Sequence, residues 1–222
     1  MKKFASFFAV FLFITLFAVA SEAGDRNIPV EVAQLTDSLK KQFAPDRRVA
    51  LLDVDYSFSD KNVMLRGVTT SAEAKNALLK ELARKGYAVM DCLELLPDVK
   101  GLEGKTCGII NVSVANMRVA PDFSSEMMTQ SLMGMPVRVL QRDGWVRIQT
   151  PDNYIAWVHR VGVHPVTEEE MAAWNKAEKI VVTAHYGFVY SEPNQTSQTV
   201  SDVVAGNRLK WEGSKGAFYK VT

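Results

Sequence analysis

The sequence predicts a multidomain chain: a small α+β domain followed by two all-β barrels, the second of them incomplete. Three observations predict it. Between Val114 and Val163 short apolar runs alternate with polar residues and break at Pro121, Gly134, Asp143-Gly144 and Asp152-Asn153, the pattern of a compact antiparallel barrel of short strands. The stretch from Lys179 to Thr222 repeats that pattern at an offset of about seventy-two residues. From Asp25 to about Pro97 the apolar spacing instead switches between helical and strand periods.

Taken in order, Lys2 and Lys3 precede an almost purely apolar run from Phe4 to Ala20, and small residues follow at Ala18-Val19-Ala20 and Ser21-Glu22-Ala23. A charged start, an apolar middle and an A-x-A-like end predict a secretory signal peptide over residues 1–23. A membrane anchor is the competing reading, but the run falls short of the roughly 20 residues a spanning helix needs. No cysteine lies at the expected cut, so a lipoprotein anchor is not indicated. The protein is expected to be exported to the periplasm or cell envelope, touching membrane only through its signal peptide.

Residues 25–97 form the α+β domain. Pro29 suits a first helical turn, Val32, Leu35, Leu39 and Phe43 follow at helical spacing, and Ala44-Pro45 ends the segment. Val49 to Phe58 and Val63 to Val68 read as strands around the turn Ser59-Asp60-Lys61-Asn62. Thr70 with Glu73 predicts a capping box for a helix carrying Ala74, Ala77, Leu78 and Leu82 on one face, and Gly86 stops it. Tyr87 to Leu96 returns as a strand, giving the order α-β-β-α-β with the helices on one face of a small sheet. The piece from Val63 to Val68, leading to Ser71-Ala-Glu-Ala-Lys and the return strand, resembles the BON domain of periplasmic and outer-membrane proteins, which implies a structural or envelope-docking module.

Residues 98–106, with two glycines and mixed charges, are expected as a linker. The first barrel, residues 107–164, then runs through strands at Met117-Val119, Met128 to Leu132, Val137 to Leu140, Trp145 to Ile148 and Ile155 to Val158, with Met117 and Val119 expected on one face. Residues 165–178 are a helical connector whose Thr167 and Glu170 have capping-box spacing. Residues 179–222 are the second barrel: Met117 corresponds to Phe188, Pro121 to Pro193, Gly134 to Gly206, Val137 to Leu209, Val139 to Trp211, and Trp145 with Ile148 to Phe218 with Val221. The repeat stops at the counterpart of Ile148, leaving its last one or two strands missing, so the chain is expected to be the front part of a longer protein.

The formal net charge of +1 and the absence of a basic cluster give nucleic acid no electrostatic handle. Cys92 and Cys107 could pair in an oxidising compartment or remain two free thiols; two cysteines make no disulfide framework. Asp53 and Asp55 share a strand face, which without a third ligand reads as solvated rather than metal-binding. Glu168-Glu169-Glu170 reads as helix N-terminal charge, favourable against the macrodipole. Met127, Met128, Met133 and Met135 read as barrel filling, and His159, His164 and His185 are scattered over barrel ends. No cofactor, metal or catalytic residue is expected in this chain. For binding, Trp145, Tyr154 and Trp157 come from the last strands and turn of the first barrel, where aromatic faces beside polar turns can grip a peptide or sugar. Core packing is the competing reading for the two tryptophans, whereas Tyr154 follows the turn Pro151-Asp152-Asn153 and has less reason to be buried.

The run Asn116 to Pro121, then Gly134, Val137, Val139 and Leu140, then Asp143-Gly144-Trp145 with Ile148, then Trp157-Val158, resembles the bacterial SH3 (SH3b) domain along its length. A eukaryotic-type module for Pro-rich peptides fits poorly, since the long loop lacks an Ala-Leu-Tyr-Asp-Tyr run. The order signal peptide, α+β domain, SH3b, connector, SH3b is similar to the N-terminal region of exported Bacteroides-type NlpC/P60 cysteine peptidases. Those are γ-D-glutamyl-L-diamino acid endopeptidases acting on murein peptides. The resemblance implies that this chain is a non-catalytic targeting and substrate-gating region that positions peptidoglycan stem peptides for a C-terminal NlpC/P60 domain in the same polypeptide. It further implies that Tyr154 matches the aromatic that the first SH3b domain lends to the pocket for the free N-terminal L-Ala. The family nucleophile, a cysteine in an Asp-Cys-Ser-Gly-Phe-type motif, has no counterpart: Asp91-Cys92 continues as Leu93-Glu94 in an expected strand. The alternative is an autonomous envelope protein that binds wall peptides through its SH3b domains.

Overall fold

A computed structural model describes residues 28–222, so the signal peptide expected over residues 1–23 lies outside the described residues. The N-terminal unit has the expected order: α1 (Val30–Phe43), β1 (Leu52–Ser59), β2 (Asn62–Thr69), α2 (Ala72–Arg84) and β3 (Ala88–Leu95). β1 pairs antiparallel with β2 through the tight turn at Asp60-Lys61, and β2 pairs parallel with β3, the crossover being α2. Val32 and Leu39 of α1 and Ala74, Leu78 and Leu82 of α2 pack with Leu52, Val63, Leu65 and Leu93 of the sheet into one apolar cluster. The helical spacing of those residues is what faces both helices onto the same side.

The N-terminus of α2 corrects the expected capping box. Ser71 is the N-cap, its hydroxyl accepting from the Ala74 N–H at 3.0 Å and donating to the Glu73 carboxylate at 3.1 Å. Thr70 is occupied elsewhere, its hydroxyl accepting from the Leu51 N–H at 3.0 Å, so the helix starts one residue later than the motif suggests. Pro29 likewise sits at the N-cap of α1 rather than inside its first turn.

The first β unit contains the five expected strands and two more. They are β4 (Cys107–Ile110), β5 (Val114–Arg118), β6 (Met127–Leu132), β7 (Pro136–Asp143), β8 (Trp145–Gln149), β9 (Ile155–His159) and β10 (Val163–Val166). All neighbours are antiparallel in the order β10-β4-β7-β8-β9-β5-β6. No ladder among the described residues joins β6 back to β10, so the expected barrel is a seven-stranded sheet open at two edges. The sheet wraps Ile110, Ala115, Met117, Val137, Val139, Val146, Ile148 and Val158 into one core, which Leu102 enters from the stretch expected as a linker. Residues 98–106 are thus packed rather than free, and the Asp98 N–H donates to the Leu140 carbonyl at 2.9 Å.

The end of β5 at Arg118 overturns the expectation that Met117 and Val119 share a face. Met117 is fully buried, whereas Val119 lies past the end of β5 and is 47 % exposed at the start of the long loop.

The N-terminal unit docks on this sheet through Leu51, Leu96, Leu140 and Ile155, with Val68 alongside. Backbone pairing fixes the dock, the Ile155 N–H donating to the Arg48 carbonyl at 2.6 Å.

After the connector helix α3 (Glu168–Lys176), whose Thr167–Glu170 capping box forms as expected, comes the second β unit. It contains β11 (Lys179–Val181), β12 (Tyr186–Tyr190), β13 (Thr199–Val204), β14 (Arg208–Lys215) and β15 (Phe218–Val221). These match β4 to β8 in order and pairing, yet they form two separate sheets, β11-β14-β15 and β12-β13. In the first unit it is β9 that joins β8 to β5; among the described residues no strand lies between β15 and β12. Only Val203 and Asn207 are buried there, and Ile180, Phe188, Leu209, Phe218 and Val221 line an open apolar groove of about 520 Å³.

The two β units meet through equivalent turns. Gly134 and Gly206 both have positive φ, and a Cβ on Gly134 would lie 2.1 Å from the Arg208 carbonyl oxygen. The Arg208 N–H donates to the Met133 carbonyl at 2.9 Å, and the Asn207 amide donates to the Ser113 carbonyl at 2.8 Å. No helix among the described residues is long and apolar enough to cross a membrane.

Candidate ligand-binding face

Strand alternation builds the site. On β8 and β9 the side chains of Val146, Ile148, Ala156 and Val158 turn into the core, which sends Trp145, Arg147 and Gln149, and Ile155, Trp157 and His159, to the outer face. The register sets Trp145 opposite His159, Arg147 opposite Trp157, and Gln149 opposite Ile155. Both candidate tryptophans are therefore half-buried on the outer face, outside the apolar core that the competing reading assigns them.

The three cross-strand pairs make a stripe with three surroundings. At one end Trp145 and His159 meet edge to face, ring centroids 5.3 Å apart. Phe123, 67 % exposed on the long loop between β5 and β6, completes the cluster at 4.8 Å from Trp145 and 5.0 Å from His159. The loop is held in shape by Asp122, which accepts from the Ser124 N–H and hydroxyl, and those bonds hold its carboxyl below the usual range. Apolar rings with one polar edge, open to solvent beside a small cleft, form a platform for a flat or apolar ligand group.

In the middle, the Arg147 guanidinium lies 5.1 Å from the Trp157 ring centroid. Burial pushes its pKa below the ordinary arginine value, with Asp53 acting in the opposite sense. At the far end the N-terminal unit covers the face, which is why Ile155 is buried although it points outward. Here Tyr154 is half-buried, its ring 5.9 Å from the Arg48 guanidinium. Arg48 in turn grips Asp46 with Nε at 2.9 Å and Nη2 at 2.7 Å, and this pairing lowers the Asp46 pKa to about 2.

Trp145 and Trp157 thus share one face with Tyr154 at its covered end, where the turn held by Thr150 meets the N-terminal unit. Phe123, Arg147 and His159 were not anticipated as members. Arg147 and His159 were legible, since each lies two residues from a chosen tryptophan on a strand; Phe123 comes from a loop that pattern cannot place. Asp53, expected on a solvated face, instead approaches Arg47 at 3.5 Å and Arg147 at 4.0 Å. Cys92 on β3 and Cys107 on β4 are free, and burial raises the Cys107 thiol pKa. No cluster of metal-binding side chains occurs among the described residues.

Comparison with known proteins bears on this face. Residues 117–161, from within β5 to just past β9, match the family described as the bacterial dipeptidyl-peptidase SH3 domain. No curated protein matches the chain. Among solved structures it is similar to an NlpC/P60 family protein from Bacillus cereus ATCC 10987, at 20 % identity and a TM-score of 0.42, covering 52 % of this chain and 50 % of that one. It is also similar to an NlpC/P60 endopeptidase from Photobacterium damselae subsp. piscicida, at 14 % identity and a TM-score of 0.42, covering 57 % of this chain and 33 % of that one. The chain spans half or less of the length of these proteins. The outer face of β8 and β9, with the long loop that overhangs it, accordingly belongs to a bacterial SH3 domain following an α+β unit.

Proposed function

We propose that this chain is the non-catalytic targeting and substrate-gating region of an exported murein-peptide endopeptidase. Its SH3 domain holds cell-wall stem peptides for an NlpC/P60 domain that follows Thr222 in the same polypeptide. The observation that carries the binding role is the platform of Phe123, Trp145 and His159, three rings within 5.3 Å of one another at a solvent-facing edge of the domain. Stem peptides alternate small apolar side chains with amides and charges, and a ring platform beside polar loop groups suits such a chain. Trp145 is the contact residue at the open end of the face, Trp157 lies under the middle, and Tyr154 closes the end beside the N-terminal unit.

The open slot between β12 and β15 has the shape of a site for one more strand. A β9-like strand entering it would pair with both, join the two small sheets and cover the apolar groove, as β9 does in the first unit. The test is titration of the chain with a stem tetrapeptide followed by amide and indole NMR signals. Trp145→Ala should weaken binding about tenfold or more, the loss expected for one well-packed aromatic contact. Shifts that avoid the Phe123, Trp145 and His159 signals, or a Trp145→Ala affinity equal to the parent's, would refute the assignment.

A further inference from the structure

One cavity beside the aromatic platform takes no part in it. It lies between the N-terminal unit and the middle of the β8–β9 face, has a volume of about 360 Å³, and is lined by Arg47, Arg48, Arg147, Trp157, Met128 and Glu126. Three guanidiniums converge there, and their acceptors are unequally shared. Arg48 is satisfied, because both carboxylate oxygens of Asp46 occupy its fork. Among the described residues, Arg47 and Arg147 have one side-chain oxygen between them, Oδ2 of Asp53, at 3.5 and 4.0 Å. Those separations exceed the 2.7–2.9 Å typical of a charge-assisted hydrogen bond.

Arg147 is the less well served. Its side chain is 13 % exposed, yet its buried Nε–H finds no acceptor among the described residues. Burying an under-paired guanidinium is unfavourable, so an anion that completes its hydrogen bonds is favoured beside it. One face of the group is covered by the Trp157 ring, and Arg147 is among the residues that line the cavity.

We propose that this cavity binds a single carboxylate on a short peptide-like or apolar body, with Arg147 and Arg47 holding the carboxylate and Trp157 and Met128 receiving the body. Glu126 lines the same cavity and the Asp53 carboxylate stands beside Arg47 and Arg147, so a dianion such as phosphate is disfavoured while a monoanion makes up the local deficit of acceptors. The planar fork of arginine matches a carboxylate in two-point contact, which selects for a free acid over an amide. The site does not depend on the wall-peptide reading, since the Phe123, Trp145 and His159 platform lies at the other end of the face.

The probe is N-acetyl-Ala-Ala as the free acid against its C-terminal amide, titrated into the full chain and followed by the Trp157 indole N–H and the Arg147 Nε–H NMR signals. The free acid should shift both signals, and the amide should bind about tenfold more weakly or worse, the loss expected for hydrogen bonds to a charged group. Arg147→Gln should abolish the preference for the acid. Arg47→Gln alters a side chain that is 76 % exposed, so it should keep the fold and weaken the acid about threefold or more. Trp145→Ala should leave acid binding unchanged, which separates this site from the platform. Equal binding of acid and amide, shifts that bypass both reporter signals, tighter binding of inorganic phosphate, or an Arg47→Gln chain that binds as the parent does would each overturn the proposal.

Discussion

Met117 lies in the core of the first β unit and Phe188 beside the groove of the second, and truncating each to alanine measures how differently the units are closed. Strand pairing corrects the expected match of Met117 to Phe188, since the register places Val189 at the Met117 position and Phe188 at that of Asn116. Met117 is fully buried in the core of the first sheet, where Met→Ala should cost about 2–5 kcal/mol as lost transfer energy plus the cavity left behind. Phe188 is 47 % exposed and borders an open groove, so no enclosed cavity forms on truncation. Complete burial of such a side chain is worth roughly 1.5–3 kcal/mol, and about half that burial leaves roughly 1 kcal/mol. The larger aromatic should therefore matter less than the smaller thioether. Because a chain of several units need not unfold in one step, the assay is native-state hydrogen exchange read separately at the amides of β5 and β12. A Phe188→Ala loss equal to or above that of Met117→Ala would refute the reasoning, since it requires a closed second core.

Two further outcomes follow from local chemistry. The Asp46 carboxyl is held at a pKa of about 2 by the Arg48 hydrogen bonds, below its unfolded value, so its contribution to stability is present above about pH 4 and is lost as pH falls towards 2. Asp46→Asn should remove that part of the acid-side decline, as denaturation midpoints across this pH range would show. Ser71→Ala should cost about 1 kcal/mol and deprotect the first-turn amides of α2, whereas Thr70→Ala should leave those amides protected and affect only the pairing at Leu51.

Periodicity made most elements legible because it reports burial directly. Val146 and Ile148 alternate with Trp145 and Arg147 on β8, and Ala74, Leu78 and Leu82 fall on one face of α2, so strand and helix were readable without knowing what covers them. The misses have local causes. Thr70 and Ser71 are adjacent hydroxyls, and only the demand of the Leu51 N–H in the neighbouring strand decides which of them caps the helix. Val119 follows Met117 at strand spacing, but β5 ends at Arg118 and Val119 already belongs to the exposed loop. The expected barrel became an open sheet because closure depends on the pairing of edge strands β6 and β10, a relation that no strand's own pattern encodes.

The binding face was only half visible for the same reason. Trp145 and Trp157 declare themselves as aromatics on strands, and alternation ties Arg147 and His159 to them. That Phe123 closes over Trp145, that Tyr154 lies under Arg48, and that Arg47 and Asp53 reach Arg147 from another unit depends on how a loop folds back and how two units dock.

The sequence by itself determined the α-β-β-α-β order, five of the seven strands of the first β unit and the repeat that carries it into the second, because each is set by short-range spacing of apolar residues and turn formers. Only the tertiary structure decided which strands share a sheet, which hydroxyl caps α2 and which charges meet at Arg147. Those outcomes rest on contacts between residues far apart in the chain, where the burial of one segment is fixed by whatever packs against it.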